Sequence, residues 1–237
     1  MNIVSNKKLI RNRSRLGQWT TIGSLGILGL GLFLSFQDNM LSWALLALIV
    51  GFILSQIGIY LGTRWGRSPR PDEVITSALK GLDGKYTLYH YITGTPHLLV
   101  GPSGVWNIFT YNQGGTILYD EKKKRWVQKG GNLYLKIFAQ ENLGRPDLDI
   151  EGFSMDLKKS LAKAVPNLSN KVEAKPLLVF INPKVNLELD KSPVPCMKPE
   201  KLKDFLRRQA KTESVNLELI NTLQEALPDS DILPKTK

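Results

Sequence analysis

The sequence predicts two structural parts: a hairpin of two transmembrane helices, then an α/β domain with a mixed sheet flanked by helices. Three observations predict it. Residues 16 to 62 hold one charged side chain, Asp38, whereas charges are frequent after Arg64. From Tyr86 onward, short runs rich in β-branched and aromatic residues alternate with Gly- and Asn-rich turns. Amphipathic helical patterns bracket those runs, and the apolar segment LLVFIN (Leu177 to Asn182) has the character of a buried central strand.

The first fifteen residues form a basic terminus carrying Lys7, Lys8, Arg11, Arg13 and Arg15. The first span then runs uncharged from Leu16 to Phe36 and the second from Leu41 to Gly62. Each reaches the roughly 20 residues that a helix needs to cross a bilayer core of about 30 Å. Lipid cannot satisfy open backbone groups, so helices are the expected form. The link Gln37-Asp38-Asn39-Met40 is short and polar, which makes the helices antiparallel neighbours. A secretory signal peptide would need a small-residue cleavage pattern before Asp38, and none is present. Gly58 and Gly62, with Gly23, Gly26 and Gly29, are candidates for close helix approach.

Basic residues flank both spans, and the link has none. The positive-inside rule then places both termini and the soluble domain in the cytoplasm, for an integral protein of a prokaryotic plasma membrane. Residues 1 to 70 hold eight basic side chains against Asp38, so +7 of the net charge of +11 belongs to the anchor region. The high isoelectric point therefore has a topological explanation and needs no nucleic-acid partner.

Residues 63–70 read as a juxtamembrane linker, 71–228 as the soluble domain and 229–237 as a polar tail. Pro71 opens a helix through Leu82, with Asp72 and Glu73 in its first turn. Strands are expected at Tyr86–Ile92, His97–Val100, Val105–Tyr111, Thr116–Tyr119, Arg125–Gln128 and Leu133–Phe138. A helix follows from Met155 to Val165, and after LLVFIN and a Pro-rich stretch come helices at Pro199–Lys211 and Val215–Leu227.

The segment HLLVGPSGVWNIFTYNQGGTI, His97 to Ile117, resembles the core of the nuclease-related (NERD) domain of the restriction-endonuclease-like class. The matching positions are His97, Gly101-Pro102-Ser103-Gly104-Val105, Ile108 and Gly115-Thr116-Ile117. The resemblance implies a restriction-endonuclease-like fold in which two carboxylates hold Mg²⁺ and a Lys assists phosphodiester cleavage. At the family's acidic positions this chain has Pro96 and Phe109, and at its Lys it has Tyr111. Glu73 matches the family's helix glutamate, but one carboxylate makes a poor Mg²⁺ site. Carried over residue by residue, the resemblance implies a degenerate site without cofactor, hence a binding or scaffolding module for a protein partner. Mg²⁺ enters only in the alternative of a nuclease with relocated carboxylates, for which Asp83, Asp120 and Glu121 are the nearest acids.

Other chemistry has little to draw on. One cysteine and two histidines exclude an intrachain disulfide and leave almost no ligands for zinc. Gly84-Lys85 lacks phosphate-loop spacing, and Ser103 lacks the spacing of a nucleophile elbow. Two basic clusters remain: Lys122, Lys123, Lys124 and Arg125 beside Trp126, and a late helix with Arg207 and Arg208. Both suit phosphate, whether in anionic lipid headgroups of the bilayer or in nucleic acid.

Overall fold

The computed structural model describes residues 1–131, 142–164, 166, 172–212 and 216–233. These divide into two compact units, one of residues 8–70 and one of residues 1–7 with 71 onward. The expected strand Leu133–Phe138 lies outside the described residues.

The first unit is the helical hairpin, α1 (Lys7–Leu34) and α2 (Leu41–Leu61). Both helices are long and apolar enough to cross a membrane. α1 begins nine residues before the expected start at Leu16, because the basic segment is itself helical. Its apolar part, from Leu16, extends about 28 Å at 1.5 Å per residue, close to the hydrocarbon thickness. The helices meet along small residues repeated every seven positions: Gly17, Ser24 and Gly31 on α1, with Ala44, Gly51 and Gly58 on α2. The spacing is tight. A Cβ at Gly51 would lie 2.7 Å from Leu28 Cγ, and one at Gly58 would lie 2.5 Å from Thr21 Oγ1. Of the glycines chosen from sequence, Gly58 alone is at this seam. Gly23, Gly26, Gly29 and Gly62 would meet nothing within 4 Å. The seam follows a seven-residue repeat, which three-residue glycine spacing does not match. Gly62–Gly66 continues α2 as a π-helical turn, so the linker is shorter than expected.

The second unit is built on a six-stranded mixed sheet. Its strands are β1 (Asn2–Ser5), β2 (Thr87–His90), β3 (His97–Gly101), β4 (Gly104–Tyr111), β7 (Ala174–Phe180) and β9 (Cys196–Met197), in that spatial order. β1 runs parallel to β2, β2–β3–β4 form an antiparallel meander, and β4, β7 and β9 are parallel. A smaller sheet has the order β6 (Arg125–Lys129), β5 (Gly115–Asp120), β8 (Val185–Glu188). Thus residues 1–7, expected as part of the basic terminus over residues 1–15, contribute an edge strand and the start of α1. Parallel strands need a long crossover, and here the crossover from β1 to β2 contains both apolar helices and α3 (Pro71–Ala78). The domain does not merely follow the hairpin: the hairpin is inserted into it.

Side chains alternate across the large sheet, so its two faces carry separate cores. Ile75 of α3 and Leu79 just after it, with Leu202 and Leu206 of α5 (Pro199–Thr212), cover Leu88, Leu99, Trp106, Ile108 and Leu177. Leu157 and Leu161 of α4 (Pro146–Ala164), with Ile220 and Leu223 of α6 (Leu217–Ala226), cover Tyr89, Leu98, Val100 and Val105. A third cluster joins Phe109, Tyr111, Leu178 and Phe180 to Ile117, Trp126 and Val185 of the small sheet.

α4 starts nine residues before the expected Met155, at Pro146, with Asp147 and Asp149 in its first turn as helix-start signals. Asn216 caps α6 by accepting from the N–H groups of Glu218 and Leu219. β8 and β9 interrupt the Pro-rich stretch that carried no strand signal; β9 is held to β7 through Leu178↔Cys196 and Val179↔Met197. The expected tail also joins the domain, because Ile232 N–H donates to the Ser5 carbonyl at 3.0 Å.

Candidate functional site

The Gly101–Gly104 turn, on which the family resemblance chiefly rests, has a structural cause. A Cβ on Gly101 would collide with the Tyr86 ring, and Gly104 adopts φ 103°, which side chains strongly disfavour. Trp106 Nε1 donates to the Ser103 carbonyl at 3.0 Å, closing the turn from below.

Beyond that turn, β4 carries Asn107, Phe109 and Tyr111 on one face. Phe109 is 2% exposed and Tyr111 7%. The Phe109 ring lies 5.9 Å from Phe153, and Tyr111 stacks on Phe180 at 5.6 Å. The Tyr111 hydroxyl donates to Asp149 Oδ2 at 2.9 Å. This aromatic face is packed shut by α4 and β7. Asn107 is fully buried, and its amide has no hydrogen-bond partner among the described residues. Pro96 is buried and gives its carbonyl to Tyr91 N–H at 3.0 Å. Glu73 is half-buried in the first turn of α3. Among the described residues, no group of three or more His, Cys, Asp or Glu could hold a metal ion.

The two basic clusters differ. Lys122, Lys123 and Lys124 are exposed at the β5–β6 tip and Arg125 is half-buried. Asp120 Oδ1 shapes the tip by accepting from the N–H groups of Lys122 and Lys123 at 3.0 and 3.1 Å. On α5 the positive charge is partly structural. Lys203 donates to the Lys80 carbonyl at 3.3 Å and Arg207 to that of Gly81 at 3.1 Å, closing the turn after α3. Arg208 is exposed.

A groove of about 860 Å³ lies between β1–β2 and the end of α6. Glu225 and Asp229 line it beside Asn2, Thr87 and Asn221, so its charge is unsuited to phosphate. Tyr89 forms part of its wall, with a phenol pushed up to about 12, first by burial and, more weakly, by the charge of Asp229.

The most concentrated polar chemistry inside the domain lies where β2 turns into β3. His90 and His97 are 1% and 0% exposed. They face each other across the two strands as a register pair, and their Nδ1 atoms are 2.7 Å apart. His90 Nε2 is 2.9 Å from Thr76 Oγ1 of α3. Tyr91, in the left-handed region at φ 59°, sets its ring 5.2 Å from that of His97. Thr93 and Thr95 are buried in the connection, with their hydroxyls 3.3 Å apart. Asn6 joins the group from the other side: its N–H donates to the His90 carbonyl at 3.0 Å and its Nδ2 to the Tyr91 carbonyl at 3.2 Å.

Asp231 closes the same corner. Its carboxylate accepts from Ser5 N–H at 2.7 Å and pairs with Lys7 at 2.6 Å. The Lys7 bond above all holds the carboxyl below the ordinary carboxylate range; burial opposes this, while Ser5 N–H and the positive charge of His90 add to it. A depressed carboxyl contributes stability above its unfolded value and loses it as pH falls through the folded value, so this clasp is intact at neutral pH. Elsewhere, burial pushes the Cys196 thiol up, against its hydrogen bond with Ser192, which makes it a weak nucleophile at neutral pH.

The sequence does not reveal the histidines as a pair: both enter the zinc count, and His97 also enters as a family match. Its sole signal was two histidines on successive expected strands; their meeting depends on the length of the turn between them. No family model, curated protein or solved structure matches this chain.

Proposed function

We propose that this chain is an integral membrane protein whose nuclease-related-like domain does not cleave nucleic acid and serves as a binding or scaffolding module. One observation carries the reading. The β4 face that would present metal ligands in an active relative instead presents Phe109 and Tyr111, both buried against Phe153 and Phe180. A hydrated Mg²⁺ with a phosphate needs an open, oxygen-lined face, and this one is filled with rings.

Membrane insertion is supported by the outward residues of the hairpin, among them Leu25, Phe33, Leu45 and Ile53, which are more than half exposed. In water such a continuous apolar surface would far exceed what soluble monomers tolerate. The orientation with the domain in the cytoplasm rests on the basic residues beside both spans. The exposed tip lysines, Lys122 to Lys124, supply a surface for phosphate, and anionic headgroups of the same membrane are the nearest source.

The test uses full-length protein in nanodiscs, with DNA and RNA substrates and Mg²⁺ or Mn²⁺. The expected result is no cleavage above a no-protein control. Metal-dependent cleavage abolished by Glu73→Ala would overturn the reading in favour of relocated carboxylates. Salt-sensitive nucleic-acid binding without cleavage, weakened by charge reversal at Lys122 to Lys124, would instead make the module a nucleic-acid binder.

A further inference from the structure

The His90–His97 pair is built so that it can hold only a limited charge. Two nitrogens 2.7 Å apart bond through a single hydrogen, so one Nδ1 must donate and the other must accept. With both rings neutral, that condition is met. With one ring protonated it is still met, because the imidazolium Nδ1–H donates to the neutral ring. With both protonated, two N–H groups and two positive charges oppose each other inside the domain. The bond then cannot exist, and two buried like charges repel strongly.

The bonds around the pair connect it to the chain on both sides of the hairpin. Asn6, the residue before α1, is hydrogen-bonded to the carbonyls of His90 and Tyr91. Thr76, on the helix that follows α2, is bonded to the ring of His90. We infer that His90 and His97 form a proton-responsive joint, which holds the strand entering the hairpin and the helix leaving it while the pair carries at most one proton, and releases them when it takes a second.

The surrounding charges set where this happens. Asp231, from the C-terminal segment, favours the first proton through its charge, and Lys7, paired with it, partly cancels that effect. α3 brings Asp72 and Glu73 in the turn before Thr76, and Tyr91 packs its ring against both histidines. From β4, the residue paired with His97 is Ile108, which does not titrate. The charge of Asp231 eases the first protonation, whereas repulsion between two adjoining imidazolium rings displaces the second below the ordinary histidine range.

The chain has only two histidines, so the imidazole resonances of full-length protein in nanodiscs, labelled at histidine, belong to this pair alone. A pH titration should show two coupled steps separated by roughly two units or more, each sensed by both rings. Hydrogen exchange, corrected for intrinsic rate, should rise at least tenfold for the amides of Asn6 and Tyr91 across the second step. His97→Gln keeps a neutral hydrogen-bonding side chain and should abolish both the second step and the exchange increase. Two independent single-proton titrations in the unmodified chain would sink the proposal, as would an exchange increase that persists in His97→Gln. Should that variant not fold, the titration of the unmodified protein still decides.

Discussion

Under the proposed relationship, Phe109 is the position at which the fold and the chemistry of the nuclease-related domain part. In the family pattern this position carries an acid, and here it carries a ring 2% exposed beside Phe153. An ionised carboxylate has no water or cation to meet there, and burying one without a partner costs several kcal/mol. Phe109→Glu is therefore expected to destabilise the domain by more than about 4 kcal/mol without restoring cleavage. Tyr111→Phe should cost only about 1–2 kcal/mol, the loss of its bond to Asp149. Thermal unfolding of the full-length protein measures both, and a well-folded Phe109→Glu variant would show that the face is open. The aromatic character of this strand face was legible in the sequence, because alternation alone puts Asn107, Phe109 and Tyr111 together. The burial of His90 against His97 was not, since nothing local fixes how the turn between two strands closes.

At the scale of elements, helix starts and apolar strands were readable where their signals are local. Pro71 with two acids, and the run around Leu177, are of that kind. The start of α4 was missed although Pro146, Asp147 and Asp149 are equally local, whereas the missed strands share one cause: their partners are distant or their runs short. β1 is four residues long and finds β2 more than eighty residues later, and β9 is a two-residue extension of a sheet already formed. In the hairpin, the glycines that matter were identified by what they face, not by their frequency. An ideal Cβ at Gly31 lies 3.2 Å from Ala47 Cβ, near the separation of a disulfide. In a Cys196→Ser background, Gly31→Cys with Ala47→Cys should cross-link on mild oxidation in membranes, whereas Gly26→Cys with Ala47→Cys should not. Adding Gly51→Leu, which forces a side chain into Leu28, should lower the yield several-fold. Equal yields from the Gly31 and Gly26 pairs would refute the seam.

For the whole molecule, the sheet constrains the topology independently of charge. β1 precedes both spans and β2 follows them, yet the two strands are hydrogen-bonded neighbours. A chain that crosses a bilayer between them must therefore do so an even number of times. The proposed sidedness follows from adding the basic flanks. With Cys196 replaced by Ser, a cysteine at Asn39 should be labelled by an impermeant thiol reagent on intact cells. One at Ser230 should be labelled only after lysis. Labelling of Ser230 from outside would reverse the orientation while leaving the even number of crossings intact.

The insertion of the hairpin between two paired strands also imposes an order on synthesis. β1 leaves the ribosome before either apolar helix, and its partner emerges only after both have passed. The edge of the sheet cannot close until both helices and β2 have been synthesised. Once it closes, Asp231 near the far end of the described chain is placed on Ser5 and Lys7 at the beginning. A chain whose edge strand failed to pair would expose Val4, Leu88 and their neighbours, a target for proteolysis. Closure of that edge thus reports that the chain on both sides of the hairpin has come back together.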